Sequence, residues 1–432
     1  MKVKRMIKKL VPSQIWGWLH RMRYKWSKRK EVEAYQRRYI SISQRLQKKQ
    51  EPLNVLFLAL DASVWKCDSV YLAMLNDERF NPNILVCPQV NRGYEFMMEK
   101  LQQCADYFEE KGYEYILTFN EKKQEYFDAN LLRPDIVFYT NPYKGLIDDR
   151  YYIDKFPNSL TCYINYAYNN VRFEYSFNLP FHQQLWRYFV ECKSNFSLVK
   201  SYSPINGKNC TVVGYPMYDA FVQGTDVGYD WKIQDKKRKR IIWSPHHTIS
   251  IQSQTIRFST FELYYDVMWK FAEKYKDQIQ IAFKPHPLLK EALYRLDGWG
   301  KERTDKYYDM WRDGKNTAFV VGEYIDLFNS SDAIINDSGS FTIEYLYMRK
   351  PCLFLNNYDR QADANEVASK AFDCWYHATD AVQIERFIID VVLNGNDSLQ
   401  TKREDFYNKM LLPPCGCSVA ENVVNEIKRS IW

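Results

Sequence analysis

Three short segments hold the residue types that phosphate chemistry needs. Lys284-Pro285-His286-Pro287 puts a cation and an imidazole two residues apart in a stretch stiffened by two prolines. Pro245-His246-His247-Thr248 supplies two more imidazoles. Asp337-Ser338-Gly339-Ser340 supplies a carboxylate, two hydroxyls and a glycine that admits close backbone approach. His286 is a candidate to donate to a phosphate oxygen or to protonate a leaving group, because imidazole exchanges its proton near neutrality. His247, with His246 beside it, is a second candidate donor or base, although consecutive residues need not face the same way. Lys284 is the candidate counter-charge for phosphate, with a solvated surface lysine as the alternative.

Each segment follows a predicted strand. Ile241 to Ser244, Ile279 to Phe283 and Asp332 to Asn336 are short, largely apolar runs of the kind buried in a parallel sheet. Between them, Phe261, Tyr264, Val267, Met268, Phe271 and Tyr275 recur at helical spacing, and Glu323 to Asn329 and Ser340 to Met348 read as further helices. Pro351 to Leu355 continues the series, with Asn356 to Asp359 at its exit. Such alternation predicts a parallel sheet whose carboxyl edge gathers the polar strand exits. Ser338, Gly339 and Ser340 then form a strand-to-helix turn, where helix-start N–H groups meet anionic oxygens; an ordinary helix cap is the alternative. Glu344 is the candidate acceptor for ribose hydroxyls, or simply an acidic residue favoured near a helix start.

A second strand series precedes this one. Asn54 to Leu60, Ile84 to Cys87, Tyr115 to Thr118 and Asp135 to Tyr139 predict another parallel sheet, and Thr161 to Tyr168 a further strand with its exit. Asn165, Tyr166 and Tyr168 at that exit are the candidate acceptor-side residues, with aromatic packing as the alternative. Cys210 to Val213 and the turn at Gly214 and Pro216 open the later half.

The chain's 432 residues, 46% hydrophobic and 26% charged, suit two folded α/β domains and exclude a disordered protein. Ten cysteines lack zinc-site spacing and read as reduced thiols. No GxxxxGK[ST] motif occurs, so a P-loop is unsupported. Asp337 and Asp359 are candidate magnesium ligands, yet Lys284, His286 and helix-start N–H groups can neutralise phosphate without a cation. No resident cofactor and no dedicated metal site is therefore expected.

Charge is concentrated at the front, where residues 1–50 hold 16 Lys or Arg against Glu31 and Glu33. Ile15, Trp18, Leu19, Met22 and Trp26 follow helical spacing among Arg21, Arg23, Lys25, Lys28 and Arg29. This suits a helix lying in an anionic bilayer interface; a helix docked on the protein with a solvated basic face is the alternative. Nucleic acid is not the expected partner, since no reading module accompanies the charge. Val32, Tyr35, Tyr39, Ile42 and Leu46 predict a separate second helix. No run approaches the roughly 18 apolar residues of a membrane span, and no signal-type apolar run follows the Lys-rich start.

Gly214-Tyr215-Pro216-Met217-Tyr218-Asp219, Trp243-Ser244-Pro245-His246-His247-Thr248, Lys284 to Pro287 and Ser331 to Ser340 together resemble, in order, the CDP-glycerol glycerophosphotransferase family. The resemblance covers roughly Cys210 to Asp359. It implies a GT-B-like α/β fold of two Rossmann-like domains with an inter-domain cleft, to which the basic, helically spaced start of the sequence adds an N-terminal helical arm. The corresponding division is a basic helical arm over 1–50, an acceptor-side domain over 51–205, a nucleotide-donor domain over 206–405, and a C-terminal helix over 406–432 that packs back on the first domain. The resemblance places His286 near the donor phosphates and Asp337, Ser338 and Ser340 in the donor-binding turn. It implies transfer of glycerol phosphate, or a related alditol phosphate, from a CDP-linked donor to a cell-surface polymer or its lipid-linked precursor, with release of CMP. It also implies peripheral attachment at the cytoplasmic face of a bacterial membrane in envelope biosynthesis. This chain departs from the family where a Trp-His-Gly-Thr segment is usual, and Thr161 to Tyr166 is the nearest regional counterpart. A CMP-sugar-dependent capsular glycosyltransferase and a noncatalytic nucleotide- or polysaccharide-binding protein remain the alternatives.

Overall fold

Val55-Leu56-Phe57-Leu58 and Ile241-Ile242-Trp243 show no polar alternation, so both faces of the strands they form must be covered. The computed structural model describes residues 13–224, 229–249, 258–339, 341–356 and 363–432, with side chains from Met22 onward, and these strands are fully buried in it. The described chain divides into two α/β units. One runs to Pro216 and includes Pro413–Trp432; the other is Met217–Leu412.

The first unit holds a seven-stranded parallel sheet. Its strands are β1 (Leu53–Ala59), β2 (Phe80–Val86), β3 (Tyr115–Leu117), β6 (Ile136–Tyr139), β7 (Leu160–Ile164), β8 (Arg187–Val190) and β9 (Cys210–Val212), in the order β3-β2-β1-β6-β7-β8-β9. Two short antiparallel strands, β4 (Phe119–Asn120) and β5 (Glu125–Tyr126), form a separate hairpin. β9 pairs with β8, as Tyr188 with Cys210 and Val190 with Val212, so Cys210–Val212 completes the first sheet. The expected boundary at 206 therefore moves to Met217. Gly214 (φ +102°) makes the sharp exit, and a Cβ there would lie 2.8 Å from Val419 Cγ2 and 2.9 Å from Pro413 Cβ, so no other residue fits where the chain returns.

That return starts at Pro413 and leads into the helix Val419–Ile431, capped by a reciprocal Ser418–Glu421 box. Asn422 Nδ2 donates to Val213 O at 3.2 Å, and Glu426 pairs with Arg187 at 3.0 Å. The helix belongs to the first unit, and the boundary lies at 413 rather than 406.

The arm forms one helix, Ser13–Leu46, where two were expected. No Gly or Pro interrupts residues 18–46, and Lys28–Glu31 (2.8 Å) and Arg29–Glu33 (2.7 Å) bridge the expected break at three- and four-residue spacing. Its later half is docked: Val32, Tyr39, Ile42 and Leu46 are buried, and Tyr39 Oη donates to Gln184 O at 2.6 Å. Its earlier half leaves Trp26 80% and Met22 49% exposed. Ile15, Trp18 and Leu19 fall outside the described side chains. Among the described residues no helix is long and apolar enough to cross a membrane.

The second unit holds a six-stranded parallel sheet of β10 (Lys239–Ser244), β11 (Ile279–Phe283), β12 (Thr317–Phe319), β13 (Ala333–Asn336), β14 (Cys352–Leu355) and β15 (Tyr376–Ala378). The order β12-β11-β10-β13-β14-β15 is that of a doubly wound nucleotide-binding fold, whose order reverses between β10 and β13. Trp243, Phe261, Phe283, Tyr307 and Trp311 form a continuous aromatic core beside β10 and β11.

Candidate active site

The reversal between β10 and β13 leaves a crevice at the carboxyl edge of the second sheet, and the three chemistry-bearing segments are the exits of β10, β11 and β13. Register explains their meeting. Trp243 pairs with Phe283 on one side and Ile335 on the other, so Ser244, Lys284 and Asn336 end their strands side by side. Ser244 Oγ donates to Lys284 O at 2.8 Å, and the His286 amide donates to Pro245 O at 2.9 Å, stitching the first two exits together.

All three histidines meet. Ring centroids lie 4.3 Å apart for His246 and His247, 4.1 Å for His247 and His286, and 5.0 Å for His246 and His286. His246 and His247 can share this site because the strand ends at Ser244 and the following turn no longer alternates faces.

Hydrogen bonding divides their capacities. The Leu288 amide donates to His286 Nδ1 at 3.2 Å, and the Thr248 amide donates to His246 Nδ1 at 3.3 Å. A backbone amide can only donate, so Nδ1 of both rings is an acceptor and the ring proton sits on Nε2, which is a hydrogen-bond donor in each. Neither nitrogen of His247 has a partner fixing its tautomer among the described residues, and its Nδ1 is buried. Burial pushes the His247 pKa below its ordinary value of 6.5; burial and neighbouring His247 push that of His286 down to about 4. His247 and His286 are therefore neutral at pH 7, and the Nε2–H donors of His246 and His286 stand beside the uncommitted imidazole of His247.

Asp337 organises this loop. Its Oδ1 accepts the His246 amide at 2.6 Å, and its Oδ2 accepts the Thr260 amide at 2.5 Å and the Thr260 hydroxyl at 2.8 Å. Ser338 is buried in a turn where its amide donates to Asn336 Oδ1 and its carbonyl accepts from Asn336 Nδ2, both at 2.9 Å. Gly339 follows on the partly exposed side, while Ser340 and Asp359 lie outside the described residues. The helix expected over Ser340 to Met348 is α-helical only across Phe341–Glu344 and tightens to a 3-10 turn over Tyr345–Met348.

Lys284 is buried and is no surface lysine: its ammonium donates to Gly322 O at 2.8 Å and lies 5.7 Å from the centroid of the Tyr324 ring. Tyr324 Oη donates to Glu344 Oε2 at 2.7 Å, and Glu344 is itself buried. Glu344 is thus engaged by a tyrosine that the sequence motifs did not single out.

These groups do not fit magnesium. Asp337 spends both oxygens on loop donors, and the remaining cluster is imidazole, whereas magnesium takes oxygen ligands. The three histidine ligand atoms lie within 4.8 Å of one another, a spacing that a softer cation could use. The Nε2 protons fixed on His246 and His286 suit an anionic oxygen instead.

In the first unit the candidate residues separate. Asn165 is buried, its amide donating to Glu191 Oε1 at 2.8 Å and its oxygen accepting from Tyr188 Oη at 3.3 Å. Tyr168 is buried against Tyr215, with ring centroids 5.2 Å apart. Tyr166 alone is partly exposed, near Tyr143. Glu191, at the exit of β8, also accepts from the Asn169 amide at 3.1 Å and from Asn195 Nδ2 at 2.8 Å. It escaped sequence reasoning because β8, starting on Arg187 within a mixed polar and aromatic stretch, gave no strand signal.

Residues 182–379 match the family model described as CDP-Glycerol:Poly(glycerophosphate) glycerophosphotransferase. This segment of the chain is similar to that family. The matched glycerophosphotransferase segment contains all three histidines, Lys284, Asp337 and Glu344. It makes the chain a transferase of the CDP-glycerol-dependent type. Among solved structures, a wall teichoic acid polymerase TagF soaked with CDPG is similar at 13% identity, with a TM-score of 0.54 over 96% of this chain and 98% of that one. The UDP-GlcNAc 2-epimerase of Neisseria meningitidis is similar at 13% identity, with a TM-score of 0.55 over 87% of this chain and all of that one. The UDP-N-acetylglucosamine 2-epimerase of Methanocaldococcus jannaschii, at 14% identity, has a TM-score of 0.52 over 88% of this chain and 99% of that one. These likenesses establish a GT-B-like fold of two Rossmann-like units. No curated protein sequence matches the chain.

Proposed function

We propose that this glycerophosphotransferase moves glycerol phosphate from CDP-glycerol to a hydroxyl of a teichoic-acid-type polymer or its lipid-linked precursor, and that the three-histidine crevice holds the donor phosphates. The observation that carries the site is the Nδ1 acceptance set by Leu288 and Thr248, which leaves Nε2–H donors on His286 and His246. Such donors stabilise charge that grows on phosphoryl oxygens during transfer. Lys284, with the Ser338-Gly339 turn, supplies further positive potential, and Glu344 with Tyr324 borders that side.

In the reaction, the acceptor oxygen bonds to the distal phosphorus while the bond from that phosphorus to the bridging oxygen breaks, so CMP departs with the bridging oxygen. The acceptor proton passes to His247, the imidazole without a fixed tautomer. Its depressed pKa keeps it unprotonated and able to receive that proton at neutral pH. Tyr166 is the acceptor-side contact, with Asn165 and Tyr168 holding its loop in place.

The basic arm attaches the enzyme to the inner face of a bacterial membrane through an anionic surface, with Trp26 and Met22 presented beside the cations. The experiment is CMP release from CDP-glycerol with a soluble glycerol phosphate acceptor, analysed by product mass. His286→Ala is expected to lower turnover at least about a hundredfold in a folded protein. Turnover equal to wild type would remove His286 from the mechanism. A product lacking added phosphorus would replace glycerol phosphate transfer by glycosyl transfer.

A further inference from the structure

The opposite edge of the second sheet carries a feature that donor chemistry does not use. Asp235-Lys236-Lys237-Arg238-Lys239-Arg240 leads into β10 as five consecutive cations, and the amino ends of β10, β11, β13 and β14 surround a cavity of about 780 Å³. Lys232, Lys236, Lys237, Arg238, Arg240 and Lys350 line it. Functional crevices of parallel sheets lie at the carboxyl edge, so a large basic cavity at the amino edge needs a separate account.

Its charge is poorly neutralised from within. Lys350 Nζ donates to the carbonyls of Phe328 (3.2 Å), Asn329 (2.6 Å) and Ser331 (2.7 Å), which hold the ammonium in place without cancelling its charge. Lys232 likewise donates to the carbonyls of Gly314 (2.7 Å) and Arg312. Arg240 lies 5.4 Å over the Trp231 ring. Lys236 and Lys237 are exposed and make no ion pair among the described residues. The Arg238 guanidinium reaches Asp235 at 2.8 Å through Nη2, but its Nε is buried without a hydrogen-bond partner. The carboxylates on the lining are Asp332, which takes Lys239 at 3.2 Å and the Arg240 amide at 2.8 Å, and Asp397, which takes Arg403.

We infer that this cavity is a second anion site, which binds phosphodiester groups of the growing polymer away from the reacting end. The inference rests on the proposed reaction, whose product carries one negative charge per added unit. Half-buried, carbonyl-held Lys232 and Lys350 give fixed positive potential within the cavity, while exposed Lys236 and Lys237 are long enough to follow successive phosphates at the rim. A chain threading into a concave site suits this geometry, whereas a flat bilayer would require a convex or planar face. Ile233 at the rim is 98% exposed, but a single exposed aliphatic residue is ordinary on a protein surface.

The test uses the full chain and the double variant Lys236→Gln/Lys237→Gln. Binding of a fluorescently labelled synthetic glycerol phosphate oligomer is followed by anisotropy across a salt series, beside CMP release with a single-unit acceptor. The double variant is expected to bind the oligomer at least about tenfold more weakly, with a salt slope shallower by about 1, and to release CMP from the single-unit acceptor at the wild-type rate. Oligomer binding equal to wild type in the variant, or absent from the wild type while CMP release proceeds, would overturn the second site and leave the reaction standing. Loss of binding to phosphatidylglycerol vesicles with unchanged oligomer binding would assign the cations to a lipid surface and likewise overturn the inference. Absence of CMP release from every acceptor in the wild type would defeat the proposed reaction instead.

Discussion

Asp337 Oδ1 accepts the backbone amide of His246 at 2.6 Å, tying the exit of β13 to the exit of β10 across the point where strand order reverses. The same carboxylate holds Thr260 through its amide and hydroxyl, at the start of the helix Phe261–Lys274. One buried acceptor thus fixes both ends of the segment that carries His246 and His247.

Asp337→Asn is expected to destabilise the fold by about 1–3 kcal/mol, because the amide offers one acceptor oxygen and turns an NH2 group toward a donor. CMP release is expected to fall at least about tenfold as the histidine loop loosens. Denaturant unfolding and steady-state turnover, measured on the same sample, check both effects. Wild-type values in both would remove Asp337 from this positioning role.

The histidine pKa values give a pH signature. His286, depressed to about 4, and His182, buried in the first unit and depressed to about 3, stay neutral in the folded protein where the unfolded chain already binds protons. Because the unfolded state binds more protons below 6.5, stability is retained above that pH. It is lost as pH falls from 6.5 towards those folded values, with a slope approaching 1.4 kcal/mol per pH unit for each group. Urea unfolding from pH 7.5 to 4.5 should show this decline, and His286→Gln should flatten it by about one proton. Histidine Cε1–H resonances that titrate near 6.5 for every ring would contradict it.

Catalysis should share that acid side. His247 must be neutral to accept the acceptor proton, and burial places its pKa below 6.5. The acid limb of the kcat/KM profile is therefore expected below 6.5, and His247→Gln should abolish that limb along with most turnover. A limb that persists unchanged in the variant would point to a different base.

Glu191 holds the loop after β7 by accepting from Asn165, Asn169 and Asn195. Glu191→Ala strands three donors and is expected to cost roughly 3–5 kcal/mol, measured by chemical denaturation. Burial raises the carboxyl pKa above its ordinary value, and these donors oppose that rise without cancelling it. A loss under about 1 kcal/mol would show that the loop does not depend on it.

Trp26 is expected to matter to surfaces and not to folding. Trp26→Ala should leave unfolding free energy within about 0.5 kcal/mol of wild type, since the side chain is 80% exposed. Sedimentation with phosphatidylglycerol vesicles should fall several-fold. Unchanged sedimentation would separate Trp26 from membrane attachment.

Much of the second sheet was legible in the chain because its central strands are uninterrupted apolar runs. Ile279–Phe283 matches its expected span, and Ile241 to Ser244 lacks only two preceding residues. The edge strands β12 and β15, three residues each, were missed: Thr317–Phe319 and Tyr376–Ala378 are too short and too partly exposed to show a pattern. β8 begins with Arg187, and Cys210–Val212 carried no mark of which sheet would accept it. The break placed within the arm failed for a different reason, since basic residues interrupt a hydrophobic stripe without interrupting a helix.

The sequence by itself determined the inventory of chemistry: three histidines, a lysine and a turn carboxylate, each placed just beyond an apolar strand. Local composition settles such strands because burying apolar runs and pairing their backbone groups is dictated residue by residue. Tertiary structure alone decided what each group does. It turned His246 and His286 into fixed Nε2 donors, left His247 uncommitted, buried Lys284, and spent Asp337 on the loop. The reason is physical: the two tautomers depend on amides only two residues along, but the loop that presents them, and the lone pairs of Asp337, depend on partners about 40 to 90 residues away that meet only when parallel strands set their register.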